Sequence, residues 1–208
     1  MEREIKIPVL AAALKGILSV PEGASGVVVF AHGSGSSRFS RRNVFVAKEL
    51  EKAGIATLLT DLLTEKEDEV YETRFNIGLL TERLGGVVRF LGEEPETKGL
   101  FLGLFGASTG AAGALNIAAE FGSKVSAVVS RGGRPDLAME NLRKVTAPTL
   151  LIVGGNDVDV IELNKQAFAA LHCEKKLEIV PGATHLFEEP GALEQVAALS
   201  VRWFKKYT

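Results

Sequence analysis

Short apolar runs rich in β-branched residues alternate with longer segments of helical spacing, and this alternation limits the fold more than any other feature of the chain. The runs that predict strands are 5–9, 14–20, 26–32, 55–61, 99–106, 125–133, 147–155 and 175–182, and the segments that predict helices are 42–54, 71–91, 109–122, 159–171 and 191–207. Uninterrupted apolar runs such as GVVVFAH at 26–32 are typical of strands buried on both faces. We therefore predict an α/β fold with a mostly parallel central sheet and helices on both of its faces.

The length of the chain and the shortness of its predicted connections favour a single domain. All 208 residues, 1–208, fit one ordinary domain, and little chain remains for a separate lid domain. The apolar stretch IPVLAAAL at 7–14 has the look of a short signal-peptide core, but a mixed segment precedes it in place of a basic one. We expect it to belong to the fold.

Composition argues against several classes of partner. The formal net charge of −2 speaks against binding to nucleic acid or to a membrane surface, both of which need a basic patch. Cys173 is the only cysteine, so an intramolecular disulfide and a metal cage built from cysteines alone are impossible. The scarcity of cysteine favours a cytoplasmic location, and no His, Cys or Asp cluster has metal-ligand spacing, so we expect neither a metal nor an organic cofactor.

One serine stands between two glycines directly after a predicted buried strand, in GLFGASTGAAGAL at 103–115. Residues 106–110 match Gly-x-Ser-x-Gly, the nucleophile elbow, in which a sharp strand-to-helix turn holds the serine in a strained conformation. Small neighbours relieve the crowding of such a turn, and the small residues 111–113 would let the next helix pack close to the sheet. Ser108 is therefore the candidate nucleophile; the alternative is a small-residue turn where helix meets sheet.

A serine nucleophile needs a base, and the base needs an orienting group. His185 follows the last predicted strand, at the same edge of the sheet as Ser108, whereas His172 lies near the end of a helix. Asp157 comes first after the turn that follows the penultimate strand, and Asp159 is better placed to cap the next helix or to lie in its first turn. The order Ser108, Asp157, His185 is that of an α/β-hydrolase triad, and the alternative is that both aspartates only form turns and caps.

Acyl transfer also needs hydrogen-bond donors for the negative oxygen that develops on the substrate. The backbone N–H of Thr109, next to the nucleophile, is the first candidate donor, and the loop AHGSGSSRFSRRN supplies the second. In that loop Gly33 and Gly35 allow a close approach of the backbone to the substrate, and Ser34 is positioned to donate its N–H. We expect His32 to be a structural residue of this turn. The alternatives for this stretch are a flexible loop and a phosphate-binding P-loop, although the Gly-Lys-Ser/Thr ending of a P-loop is absent.

The segments VVVFAHGSGSSRFSRRN, GLFGASTGAAGAL, SRGGRPDLA, TLLIVGGNDVDVI and PGATHLFEEPG together resemble the small, lidless dienelactone-hydrolase-like group of α/β hydrolases, over about residues 14–206. The resemblance implies an α/β-hydrolase fold without a lid domain. It also implies a nucleophile–His–Asp triad, which on this chain would be Ser108, His185 and Asp157. Dienelactone hydrolases have cysteine at the elbow where this chain has serine, and this difference favours the hydrolysis of plain esters.

The sequence thus predicts a cytoplasmic serine hydrolase that cleaves small carboxylic esters through an acyl-enzyme intermediate. Hydrolysis of thioesters or amides by the same triad remains an alternative. A third possibility is a hydrolase fold without catalysis that serves as a binding module.

Two further features have both a functional and a structural interpretation. Arg131, at a strand end in SRGGRPDLA, could bind an acidic group of the substrate; alternatively, Arg131 and Arg134 could pair with nearby acids such as Asp136. Trp203 and Phe204 could cover the sheet or form a dimer contact, so both a monomer and a homodimer are compatible with the sequence.

Overall fold

The computed structural model describes residues 1–207, and Thr208 lies outside the described residues. The strands are β1 Glu2–Val9, β2 Ala12–Ser19, β3 Gly26–Ala31, β4 Ala56–Thr60, β5 Phe101–Ala107, β6 Ala127–Arg131, β7 Thr149–Gly154 and β8 Lys175–Val180. The α-helices are α1 Arg41–Lys52, α2 Glu65–Asp68, α3 Ile77–Glu93, α4 Thr109–Phe121, α5 Val158–Ala170 and α6 Ala192–Tyr207. Short 3-10 segments are Tyr71–Phe75, Gly122–Lys124 and Pro135–Lys144.

All of these strands belong to one sheet of eight strands in the order β1-β2-β4-β3-β5-β6-β7-β8. β2 pairs antiparallel with both β1 and β4, and the remaining neighbours, from β4 across to β8, pair in parallel. The predicted α/β architecture with a mostly parallel sheet is confirmed. The carboxyl ends of the parallel strands lie together at one edge, here named the carboxyl edge, where ligands bind in open α/β sheets.

Helices cover both faces of the sheet, as predicted. α3, α4 and α5 cover one face with buried side chains that include Leu84, Leu115 and Ala167. α1 and α6 cover the other face, with Leu50 and Phe204 in its core. Every residue of β3, β4, β6 and β7 is buried, because these strands have a helix layer on each side. This double burial is the physical reason why they occur in the sequence as uninterrupted apolar runs.

The aromatic pair near the end of α6 covers the sheet. Phe204 is fully buried and Trp203 is 9% exposed, and the Trp203 indole N–H donates to the carbonyl oxygen of Pro148 at 3.3 Å. This is the first of the two interpretations of the pair, and it leaves little of either ring for a dimer contact. Within residues 1–207 no helix is both long enough and apolar enough to cross a membrane.

The structure divides the helix that was predicted over 71–91. Tyr71–Phe75 forms a 3-10 segment, and α3 begins only after Asn76, whose side-chain oxygen accepts a hydrogen bond from the N–H of Leu79 at 3.0 Å. This cap satisfies a donor that a helix start would otherwise leave unpaired, and it fixes the start there. The predictions also missed α2 and Pro135–Lys144, because α2 has only 4 residues and a 3-10 segment lacks the spacing of an α-helix.

The apolar stretch at 7–14 forms the end of the β1–β2 hairpin. Ile7 pairs in register with Leu14, and both side chains are buried. Leu10 lies in the turn with a φ of 54°. The stretch is therefore part of the sheet, as predicted.

Candidate active site

Ser108 lies in a strained turn between β5 and α4. Its φ is 50° and its ψ is −123°, a conformation that residues with a side chain rarely adopt. The two glycines of the motif permit this turn. A Cβ atom at Gly106 would lie 2.4 Å from the Cα of Ala111, and one at Gly110 would lie 2.2 Å from the carbonyl oxygen of Ala31. Because both of these contacts are with backbone atoms, no side chain could move away to relieve them.

Hydrogen bonds to the next strand hold the strained serine in place. The Ser108 N–H donates to the carbonyl oxygen of Arg131 at 3.2 Å, and the Ser108 carbonyl accepts from the N–H groups of Ala111 and Arg134 at 3.1 and 3.0 Å. The backbone on both sides of the serine is thereby satisfied. The half-buried hydroxyl is the group of this residue that remains for chemistry.

Asp157 and His185 form a hydrogen-bonded pair at the carboxyl edge. His185 Nδ1 lies 2.7 Å from Asp157 Oδ2, and the side chains are 36% and 15% exposed. Asp157 is the residue before α5 and makes no capping hydrogen bond there, whereas Asp159 is exposed in the first turn of that helix. The carboxylate fixes a proton on Nδ1 and turns Nε2 of the ring away from the pair.

Gly132 connects the histidine to the serine turn. It follows Arg131 with a φ of 51°, and a Cβ atom there would lie 3.2 Å from the His185 carbonyl oxygen and 3.5 Å from Cε1 of its ring. Arg131 itself is bonded to Ser108, so the histidine loop and the serine turn lie on the two sides of this short segment. The described residues include no hydrogen bond between the Ser108 hydroxyl and His185, a contact that is often long before substrate binds. The role of Gly132 was missed in the sequence, although the Gly-Gly pair after β6 was a visible signal.

The N–H of Ser34, the predicted second oxyanion donor, already has a hydrogen-bond partner within the protein. It donates to Thr109 Oγ1 at 3.0 Å, because the loop after β3 folds over the first turn of α4. Ser34 Oγ lies 3.0 Å from Thr109 Oγ1 and donates to the carbonyl oxygen of Arg74 at 2.8 Å. The Thr109 N–H, at the start of a helix, has no intrahelical partner and stays available. Gly33 lies against the nucleophile, since a Cβ atom there would be 3.0 Å from the Ser108 Cβ.

The two other histidines do not take part in this cluster. His32 is buried, accepts from the Leu62 N–H at Nε2 over 3.2 Å, and has Nδ1 2.9 Å from the Gly33 carbonyl oxygen. Burial lowers the pKa of His32, so it stays neutral and structural, as predicted. His172 is exposed and follows the C-cap residue of α5.

The two arginines of SRGGRPDLA have different surroundings. Arg134 donates to both carboxylate oxygens of Asp136, at 2.9 and 2.8 Å, so the structural interpretation holds for it. It does not hold for Arg131, which is 4% exposed and donates from Nη2 to the Asn43 side chain at 3.2 Å. No carboxylate of the described residues pairs with Arg131. No signal in the sequence pointed to Asn43.

Comparisons with known proteins identify the family and the fold. The profile of the dienelactone hydrolase family matches residues 14–207. A crystal structure of a dienelactone hydrolase from Anabaena variabilis is 54% identical, with a TM-score of 0.98 over 100% of this chain and 98% of that one. Est1E from Butyrivibrio proteoclasticus has a TM-score of 0.81 over 98% of both chains at 16% identity, which shows the common fold alone.

Two curated proteins from strains of Mycobacterium tuberculosis are also 54% identical, over 98% of this chain. Both have the provisional name phosphoribosyl transferase. This chain spans only 46% of their length, so about half of each relative has no counterpart in the match.

Proposed function

Since the chain belongs to the dienelactone hydrolase family, we propose that it is a serine hydrolase that cleaves small carboxylic esters through a Ser108–His185–Asp157 triad. Membership of the family supports a hydrolase activity. The observation that carries the finer proposal is the pairing of Asp157 with His185 at the carboxyl edge, the same edge at which Ser108 is held in a strained turn. This combination of nucleophile, base and orienting carboxylate is the one that acyl transfer requires.

In the proposed first step, Ser108 Oγ attacks the ester carbonyl while His185 Nε2 takes the hydroxyl proton. Asp157 holds the proton on Nδ1 and stabilises the imidazolium that forms. The carbonyl π electrons move onto oxygen to give a tetrahedral intermediate. When these electrons return, the bond to the alcohol breaks, the alcohol takes the proton from His185, and an acyl group remains on Ser108. Water attacks this acyl group in the same way, and the acid leaves.

The oxyanion of this intermediate would be held by backbone donors. The Thr109 N–H at the start of α4 is one, and the positive end of that helix adds to its effect. The Ser34 N–H would become the second donor when the substrate oxygen displaces Thr109 Oγ1 from it. Gly33 provides the space, because no side chain separates that loop from the nucleophile.

The exposure of the site fits a small ester substrate. His185 keeps about a third of its side chain in solvent, and Leu186 and Val158 beside the pair are 39% and 71% exposed. Apolar groups at the entrance would contact the acyl or alcohol part of the ester. The transferase name of the curated relatives describes proteins about twice as long, so we do not assign that activity to these residues.

Replacing the nucleophile tests the proposal. We expect Ser108→Ala to abolish cleavage of p-nitrophenyl acetate and covalent labelling by a fluorophosphonate probe, because the hydroxyl forms both covalent bonds. Ser126→Ala is a control, since that serine precedes β6 at the opposite edge of the sheet. This variant should still cleave the ester and still be labelled by the probe. Activity or labelling retained in Ser108→Ala would overturn the assignment.

A further inference from the structure

A cavity of 570 Å³ opens where the parallel strands begin, at the edge of the sheet here named the amino edge, between the end of α3 and the start of β5. Its apolar wall consists of Val27, Val88, Leu91, Leu100, Leu102 and Phe121. A cavity of this size with such a wall is typical of a site for a small molecule. β3 has 6 residues, so the cavity lies about 20 Å from the carboxyl edge and is separate from the proposed triad.

Gly92 widens this cavity. It lies inside α3, where glycine lowers the stability of a helix relative to alanine. A Cβ atom at Gly92 would meet nothing within 4 Å outside its own stretch of helix, whereas the glycines beside Ser108 are pressed against backbone. Packing within the chain therefore gives no steric reason for glycine at this position, and the effect of the missing side chain is a larger apolar space.

The rim of the cavity has more positive than negative charge. Arg89 and Lys124 are its cations, and Glu93 is its carboxylate. Lys124 is exposed and makes no ion pair among residues 1–207, and Arg89 lies 3.8 Å from Glu120, beyond a normal hydrogen bond. Arg89 also lies over the Phe121 ring, 5.6 Å from its centroid, so its charge is held beside the apolar wall. A single negative group at this rim would meet a surplus of positive charge.

The carbonyl groups at the end of α3, which would otherwise repel an anion, have hydrogen-bond donors of their own. The Thr97 hydroxyl donates to the carbonyl oxygen of Leu91 at 2.8 Å, and the Glu94 N–H donates to that of Phe90 at 3.0 Å. This pairing weakens the negative potential that the last turn of a helix has. The charges of the rim side chains therefore decide which ligands the mouth of the cavity favours.

We propose that this cavity is a second binding site, for a small apolar molecule with one carboxylate group, such as a medium-chain carboxylic acid. The apolar part would lie against the wall, in the space that Gly92 leaves, and the carboxylate would lie at the rim near Arg89 and Lys124. The proposal does not depend on the proposed function, because no residue of the cavity belongs to the triad or to the loop after β3.

The binding test titrates sodium octanoate into the whole protein, labelled with nitrogen-15, and follows the amide chemical shifts by NMR. We expect saturable shifts at Gly92, Gly99 and Leu102 at millimolar octanoate. Hexanoate should bind about tenfold more weakly because it buries fewer methylene groups. 1-Octanol and octylammonium should both bind more weakly than octanoate, because neither is attracted by the positive rim. Shifts confined to the carboxyl edge, no saturable shift, or equal affinities for octanoate and 1-octanol would each overturn the proposal.

Two variants test the residues that form the site. Gly92→Leu places a side chain in the open part of the cavity and should abolish octanoate binding. Ala198→Leu, at an exposed position of α6, is the matched control and should bind octanoate as the wild type does. Lys124→Gln should weaken octanoate about two- to fivefold, the effect of losing an exposed charge pair, and should leave 1-octanol unchanged.

Octanoate binding that persists in a folded Gly92→Leu variant would contradict the proposal. If Gly92→Leu does not fold, Lys124→Gln decides, because its side chain is exposed and its loss should not disturb the core. An octanoate affinity equal to that of the wild type in Lys124→Gln would then show that the cavity does not bind the carboxylate as proposed.

Discussion

Gly110→Ala tests the close approach of α4 to β3 that holds the serine turn. The added Cβ would lie 2.2 Å from the Ala31 carbonyl oxygen and 2.6 Å from that of His32, about 1 Å closer than atoms tolerate, so helix and strand must separate. Alanine has a higher helix propensity than glycine by about 1 kcal/mol, but overpacking costs about 1–3 kcal/mol against mobile side chains and more against backbone. We expect a net loss of about 3 kcal/mol.

Gly113→Ala is the matched control, because it makes the same change one turn later on the same helix. A Cβ there would lie 3.8 Å from the Leu84 side chain, an ordinary contact, so the helix propensity should raise stability by about 0.5–1 kcal/mol. A domain of about 200 residues changes its Tm by about 2–4 °C per kcal/mol. Far-UV circular dichroism should therefore show a fall of about 6–12 °C for Gly110→Ala and a small rise for Gly113→Ala. Equal shifts for the two variants would refute the argument from backbone contact.

Three further predictions concern the site and its surroundings. Asp157→Asn should lower kcat about 10³- to 10⁴-fold because the histidine loses its fixed tautomer, whereas Asp159→Asn should change kcat less than twofold. Steady-state kinetics with p-nitrophenyl acetate measure both values, and the same kcat for the two variants would contradict the prediction. Gly33→Ala should lower kcat about tenfold, because the added Cβ would lie 3.0 Å from the Cβ of Ser108 and displace the nucleophile. Its Tm should fall less than that of Gly110→Ala, and an unchanged kcat would contradict the predicted contact. Burial opposes the shift, but hydrogen bonds from a backbone N–H, a threonine hydroxyl and an arginine hold the pKa of Glu67 below its ordinary value. Because the folded pKa is depressed, its stabilisation is present above about pH 4.5 and is lost as the pH falls through the folded pKa. Urea unfolding should show Glu67→Gln about 1 kcal/mol less stable than wild type at pH 7, with a deficit that shrinks as the solution is made acidic, and a deficit that stays constant with pH would exclude the charge as its cause.

The sequence does not show which of the small residues around Ser108 are in close contact with a neighbouring segment. The motif predicts that Gly106 and Gly110 make room for the strained turn and that residues 111–113 let α4 pack close to the sheet. The contacts at Gly106 and Gly110 agree with this, whereas a Cβ at Gly113 would make only an ordinary contact with Leu84. All three occur in the same small-residue run, and a run of that kind contains no information on what lies opposite each position. The distance to the β3 backbone is set by the packing of the whole helix.

The oxyanion loop shows the same limit for hydrogen bonds. The sequence placed Ser34 and Thr109 at the correct edge of the sheet, since each follows a buried strand. It did not show that the Thr109 hydroxyl accepts the Ser34 N–H at 3.0 Å. Residues 75 positions apart share this bond only because β3 and β5 are neighbours in the sheet, and strand order is a property of the assembled fold.

The sequence by itself determined the α/β class, the mostly parallel sheet and the elbow at Ser108, because these depend on local periodicity and on backbone sterics within a few residues. It also placed Asp157 and His185 after separate strands, in the order that allows a triad. Only the tertiary structure decided which aspartate bonds to the histidine. Only the tertiary structure, too, gave the two arginines of one motif different partners and different burial. Arg134 finds Asp136 two residues away, whereas Arg131 is buried against Asn43, which lies 88 positions away. Burial and the partners available at long range are set by packing, so they are not encoded in any short stretch of the chain.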